Sequence, residues 1–339
     1  MRLQYQSTVA SLVLFAVAGF ELATAESASP PPATSMSDKT IEYRVPEKGY
    51  VVLQAGAITA IVVDNRAVDD DVLSGHRAGY NGIATFKHQQ RSENLFVPEY
   101  AGLNFEHVHD GTPQERKLLF GPRGAPMELR VIDDRTAELY QQASLHYELE
   151  SCTRYHLLED GTIEMTFECI PRKENYKENY IGLFWASYIH QPESLDIHFK
   201  GHDVGDDGQP RWIRGITPAH GTRATHIATG DHRSFVYDNQ FPLSLVFNLS
   251  NHRYSEPWYY GVTHGLALVQ MFRPQDEVRL TQSPSGGGEG NPAWDFQFLI
   301  SDYETGKCYQ FVMRVMAVPF ESPAQIERVT APHRRALGH

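Results

Sequence analysis

From Leu145 to Cys169 apolar and polar residues alternate on both sides of Glu159-Asp160-Gly161, and this hairpin constrains the chain most tightly. A period of two is a strand pattern, and an acidic residue followed by Gly between two such runs is a turn. Two registers compete. A two-residue Asp-Gly turn pairs Leu158 with Ile163 and sets Cys152 opposite Cys169, where a disulfide could be drawn. A type I turn with Gly161 in a left-handed bulge pairs Leu157 with Ile163 and Tyr155 with Met165. Only the second places Leu149, Tyr155 and Leu157 on the same face as Ile163, Met165 and Phe167, and burial of one face fixes register. It also separates Cys152 from Cys169, so no disulfide is expected there.

The same alternation recurs along the chain. Ile41–Val45, Tyr50–Gln54, Ala57–Val63, Ala137–Gln141 and Ile181–Ile189 read as strands. So do Leu195–Phe199, Ser234–Tyr237, Leu243–Leu249, Leu266–Phe272, Trp294–Ile300 and Tyr309–Val318. Gly, Pro, Asn and Asp interrupt at short intervals and helical periodicity is scarce, so the class is all-β. No internal repeat or composition shift divides it.

Arg2, the apolar run Val9–Phe20 and Ala23-Thr24-Ala25 make a signal peptide over residues 1–25, too short an apolar run for a membrane span. The expectation is a secreted or periplasmic protein, with no membrane association after cleavage. Residues 26–40 read as a disordered Ser/Pro-rich linker, and 321–339, with His333-Arg334-Arg335, as a flexible tail. The formal net charge of −12 disfavours a nucleic-acid partner, which requires clustered cations. Three cysteines form neither a disulfide framework nor a zinc pattern. Oligomeric state is not legible.

Several segments resemble one superfamily. Gly56–Val63 resembles the opening strand of aldose 1-epimerases. The Leu-x-x-Asp-Gly-x-Ile-x-Met hairpin and Ile181–Ile189 resemble central strands of the galactose mutarotase-like fold. Tyr303–Lys307 and Tyr309–Pro319 resemble its closing strand. The resemblance implies a large two-sheet antiparallel β-supersandwich over residues 41–320, handling carbohydrate. It also marks departures. Where mutarotases carry a catalytic His, this chain has Trp185-Ala186-Ser187-Tyr188, with His190 a few residues on. Their sugar-binding His-Gly-Gly segment has its nearest counterpart in His107–Gly111, and their late catalytic carboxylate in Glu289 or Asp295.

Two stretches concentrate polar and aromatic groups: His76–Gly82 with His88, and Asn104–Asp110. Glycines beside titratable groups are typical of functional loops, although any single His there reads as surface hydrogen bonding. Arg77, Tyr80, Glu106 and His109 are the catalytic candidates. His76, Asn81, His88, Asn104, His107 and His190 are candidates for substrate contact. Trp258, Tyr260 and His264 join them as an aromatic platform for sugar C–H faces, against the equal alternative of an aromatic plug closing the sandwich. His107 and His109 would share a strand face, but a third ligand would have to come from His220 or His264, so a divalent metal is a minor option and no cofactor is implied. Ser285–Gly290 lacks the ending of a phosphate loop and reads as a flexible loop over a site. The expected function is a carbohydrate-active enzyme, as lyase, as glycoside hydrolase with Glu106 and Glu289 or Asp295, or less readily as epimerase. A non-catalytic glycan-binding protein is the rival.

Overall fold

The computed structural model describes residues 33–144, 146–206, 208–217, 223–243, 246–284 and 288–339. The signal-peptide reading, His220 and the first half of the Ser285–Gly290 loop lie outside them. Three strands form a small antiparallel sheet in the order β1 (Tyr50–Ala55), β2 (Ile58–Val63), β3 (Gly82–His88).

The remaining strands form one long sheet. It begins with β4 (Asn104–His109), β9 (Tyr180–Ala186), β16 (Ala293–Ser301), β15 (Arg279–Ser283) and β12 (Thr225–Ala228). It continues through β13 (Leu249–Thr263), β14 (Leu266–Phe272), β17 (Tyr309–Pro319), β8 (Ile163–Pro171), β7 (Leu149–Leu157), β6 (Thr136–Gln141) and β5 (Glu128–Val131). Off this path, β10 (Ile197–Asp203) pairs with β13 and with β11 (Arg211–Gly215). Pairing is antiparallel except between β12 and β13.

Strands far apart in that order meet face to face. Trp185 of β9 packs 4.8 Å from Phe167 of β8 and 4.9 Å from Phe311 of β17. Phe105 of β4 stacks 4.8 Å from Trp185 and meets Phe167 at 5.2 Å. The sheet therefore folds over on itself as an all-β sandwich, with these aromatics in one buried cluster. The hairpin takes the register that burial requires: Leu157 faces Ile163 and Tyr155 faces Met165. Gly161 sits at φ 89°, and Cys152 and Cys169 are free and buried.

The ends differ from expectation. Residues 33–40, read as part of a disordered linker, dock through Thr34, Ser35 and Met36, all buried. Thr34 Oγ1 donates to Glu168 and Ser35 N to Glu138, adding donors to two buried carboxylates that Gln310 and Arg154 also approach. Residues 321–339, read as a flexible tail, form helix α3 (Pro323–Ala336), whose N-cap Ser322 accepts from Gln325 N. Its Ile326 and the following Leu337 are buried against β13 and β14. Ser234–Tyr237 is not a strand, and Ile41–Val45 makes a single bridge through Arg44.

Candidate functional site

One face of β4, β9 and β16 belongs to the aromatic core through Phe105, Leu183, Trp185, Phe296 and Phe298. The opposite face carries His107, His109, Phe184, Tyr188 and Asp295, and it too is covered. Its covers are two short helical turns, α1 (Arg116–Leu119) and α2 (Gly121–Gly124), and the non-strand segment around Phe241 and Phe247. A buried sheet face this polar is an unusual expenditure, because each group loses water.

A β-bulge between Phe105 and His107 makes Glu106 the extra residue of β4 and re-aims its side chain. Both of its hydrogen bonds converge on Oε1: Arg123 Nη1 donates at 2.9 Å and the Tyr188 hydroxyl at 2.5 Å. Oε2 stands 3.5 Å from His107 Nε2, an electrostatic approach rather than a hydrogen bond. Arg123 also donates through Nε to Gly79 O and lies 4.1 Å from the Tyr80 ring. Tyr80, Tyr100 and Tyr188 form a triangle of rings, with centroids 4.3 to 5.6 Å apart. Arg77 is exposed outside it and donates to the Tyr100 hydroxyl.

Asp295 completes the group. Its Oδ1 accepts from Ser187 N at 3.0 Å, and the Ser187 hydroxyl accepts in turn from Leu103 N. Burial, reinforced by the charge of Glu106, raises the Asp295 carboxyl well above the ordinary carboxylate range. Burial also raises Glu106, but Arg123 and the Tyr188 hydroxyl oppose it. Burial thus raises both carboxyls, Asp295 well above its ordinary value, and Glu106 is the one with a cation beside it to balance its charge. Burial beside Glu106 raises the Tyr188 hydroxyl well above its usual value, so it remains a donor.

The structure sorts the remaining candidates. His76 is buried and its Nε2 bonds Tyr80 O, holding the loop that delivers Tyr80. Asn81 pairs with both backbone groups of Phe105, and Asn104 Oδ1 accepts from Asn81 N. These three fix the loop to β4. His109 lies on Gly182, where an added Cβ would fall 2.2 Å from the ring, among Tyr180, Phe241 and Phe247. Burial pushes its imidazole down to about 3 and that of His107 well below its usual range. His107 and His109 do share a face, yet among the described residues no group of His, Cys, Asp and Glu is arranged to hold a metal.

Elsewhere, His190 and His264 meet at a turn, where His264 Nε2 bonds His190 O and Arg91 Nε donates to His264 O. His88 accepts from Gln90 N near that Arg91. No hydrogen bond or ring contact ties these three to Glu106. Trp258 and Tyr260 correct the platform expectation: both are buried, Trp258 under Arg334 of α3 and Tyr260 against Phe320. The plug reading describes them. Sequence reasoning missed Arg123 and Tyr100, and gave Tyr188 no role. Nothing local marks Arg123, which reaches Glu106 only through the fold.

No family model matches the chain, and no curated protein matches it. Among solved structures, a protein of Escherichia coli K12 provisionally described as an aldose 1-epimerase aligns at TM-score 0.47 and 12% identity, over 80% of this chain and 99% of its own. An α-N-acetylgalactosaminidase of Bifidobacterium bifidum aligns at 0.47 and 9%, over 85% of this chain and 39% of its own. A heparan sulfate lyase of Pedobacter heparinus aligns at 0.38 and 11%, over 82% and 37%. The first has the epimerase description that the sequence motifs resemble; scores below 0.5 carry nothing about activity.

Proposed function

We propose that this is an exported carbohydrate-active enzyme in which Glu106 and Asp295 form an acid–base pair acting on a glycosidic bond. The observation that supports the reading is two buried carboxyls with different partners, Glu106 held by Arg123 and Tyr188 and Asp295 by the Ser187 backbone N–H, beside a tyrosine triangle. Hydrolysis needs one carboxyl that gives a proton and one that takes or replaces it. Asp295, protonated, donates to the departing glycosidic oxygen. Glu106 receives a proton from water as that water adds to the anomeric carbon. With Arg123 and Tyr188 both on Oε1, Oε2 is the oxygen left for the proton. The carbohydrate assignment draws on the sequence motifs and suits a site whose outer wall is tyrosine and arginine.

The test is incubation of the purified chain with neutral, uronic-acid and sulfated polysaccharides, following new reducing ends and the ultraviolet absorbance of a new unsaturated bond. Reducing ends alone are expected; absorbance with them would replace hydrolysis by elimination. One observation favours a non-catalytic glycan-binding protein: the Glu106 side chain is only 7% exposed and is already held by Arg123. Binding without turnover across the whole panel would decide for that reading.

A further inference from the structure

The stacking surface that the sequence placed at Trp258–Tyr260 has a counterpart elsewhere. Tyr43 is 43% exposed, one of the few large hydrophobic side chains left at the surface among the described residues. It is not loose. The Arg130 guanidinium lies 4.5 Å from its ring and 3.8 Å from the ring of Tyr140, giving a three-layer stack. Arg130 is fixed in turn by Glu128 Oε1 at 2.7 Å and Ser35 Oγ at 2.9 Å, and Tyr140 by Glu150. An exposed aromatic plate with an immobilised backing loses little entropy when a ligand settles on it.

The stack borders a groove of about 1120 Å³, also lined by Met127, Gln142 and His146. That volume is at the upper end of small-ligand sites and suits an elongated guest. The lining combines the aromatic plate with amide, imidazole and hydroxyl groups, which suit the C–H faces and hydroxyls of pyranose rings. α2 also lines the groove, through Gly121 and Gly124. The same turn sends Arg123 to Glu106 on its other side. Gln141 Nε2 holds that turn through Pro122 O and Ala125 O, and its neighbour Gln142 faces the groove.

We infer that the Tyr43–Arg130–Tyr140 groove is a second carbohydrate-binding site, taking several consecutive pyranose units of a glycan chain and separated from Glu106 by the single turn of α2. It rests on the proposed function for its ligand class but not for its residues. Stacking on Tyr43 supplies the contact area, and Gln142 and His146 supply hydrogen bonds to hydroxyls.

The test is calorimetric titration of the full chain with neutral and uronate-bearing oligosaccharides of increasing length. Wild type is compared with Tyr43→Ala, Tyr43→Phe and Glu106→Gln, and circular dichroism checks the fold of each. Tyr43→Ala is expected to weaken binding of the longer oligosaccharides about tenfold, while Tyr43→Phe, which keeps the ring, binds as wild type. Glu106→Gln should lose turnover and keep this affinity. Glycan binding unaffected by Tyr43→Ala would overturn the groove and leave the Glu106 site standing. No binding by any oligosaccharide would overturn both.

Discussion

His226 on β12 and His109 on β4 are histidines of one sheet, both fully enclosed, and both with a pKa lowered by burial. They differ in what surrounds the ring. His226 has a partner at each nitrogen, Ser250 Oγ at 2.7 Å and Gln282 Oε1 at 2.7 Å. Gln282 is itself held by Gly215 O and Thr217 Oγ1. His109, like His107, has no hydrogen-bond partner at either nitrogen among the described residues, and aromatic rings on several sides. A paired buried imidazole is a structural element whose desolvation is offset locally. An unpaired one is a standing cost that the rest of the fold has to cover, and such costs gather where ligands are handled. The comparison therefore separates a polar network that builds the sandwich from the polar face on which the proposed chemistry rests.

The sharpest way to break this division is Glu106→Gln. The amide keeps the size of the side chain but loses the charge that Arg123 and Tyr188 address. On the proposed chemistry, turnover on a cleaved polysaccharide should fall by roughly 100- to 10,000-fold, with affinity largely retained. Unchanged turnover would remove Glu106 from the reaction and with it the functional reading of the β4–β9–β16 face.

On the other side of the comparison, His226→Ala should act on stability alone. It strands the Gln282 carbonyl in a buried layer and opens a cavity, while Ser250 keeps its bonds to the His252 backbone, costing about 2–4 kcal/mol in denaturant unfolding. A loss below about 0.5 kcal/mol would mean that the network is dispensable, and pairing would cease to mark a structural role.

The pH dependence distinguishes the regions by sign. His226 is lowered from 6.5 to about 4, so between those values the unfolded chain takes up a proton that the folded chain refuses. Its contribution is fully present above pH 6.5 and is lost as pH falls toward 4, with a slope of about 1.4 kcal/mol per pH unit at most. Asp295 runs the other way. Its folded pKa is raised, so the unfolded chain ionises first and stability falls as pH climbs above the ordinary carboxylate value. Unfolding midpoints across pH 4–7 should show a shallower acid loss for His226→Ala than for wild type. They should also show a gain toward neutral pH for Asp295→Asn. A steeper loss or no gain would contradict the respective burial arguments.

How far the sequence reached can be argued from the same residues. The β7–β8 hairpin was legible because two apolar rows and one Gly admit a single register. Strand β4 was not: Asn-Phe-Glu-His-Val-His reads as a polar loop, since one face of it is buried against helical turns rather than exposed. Strand β13 hid behind Pro257, and α3 behind Pro332 and the basic His333-Arg334-Arg335 run. A signal for α3 was present all the same. Ser322-Pro323-Ala324-Gln325 has the cap, the proline and the Gln spacing of a helix start. At the site, the fold brings His76, Asn81 and Asn104 to the loop beside Glu106, where they hold the backbone. Arg123, Tyr188 and Asp295 come from three separate elements, and only the folded sheet brings them to one carboxylate.

The smallest effect is also the one that most sharpens the contrast. If His109 is a cost rather than a support, replacing it by an apolar side chain should not destabilise. His109→Leu removes two unpartnered nitrogens from a pocket of Phe241, Phe247 and Tyr180, and it leaves no hydrogen-bond partner stranded. The loss of ring contacts offsets part of that gain, so the net change should lie within about 1 kcal/mol of zero, on the stabilising side. The variant should also lose the steepest part of the low-pH instability, because His109 resists protonation down to about 3. Thermal and denaturant unfolding at pH 5 and pH 7 measure both. A destabilisation comparable to that of His226→Ala would show that His109 supports the fold as His226 does, and the difference in their hydrogen bonding would then carry no functional meaning.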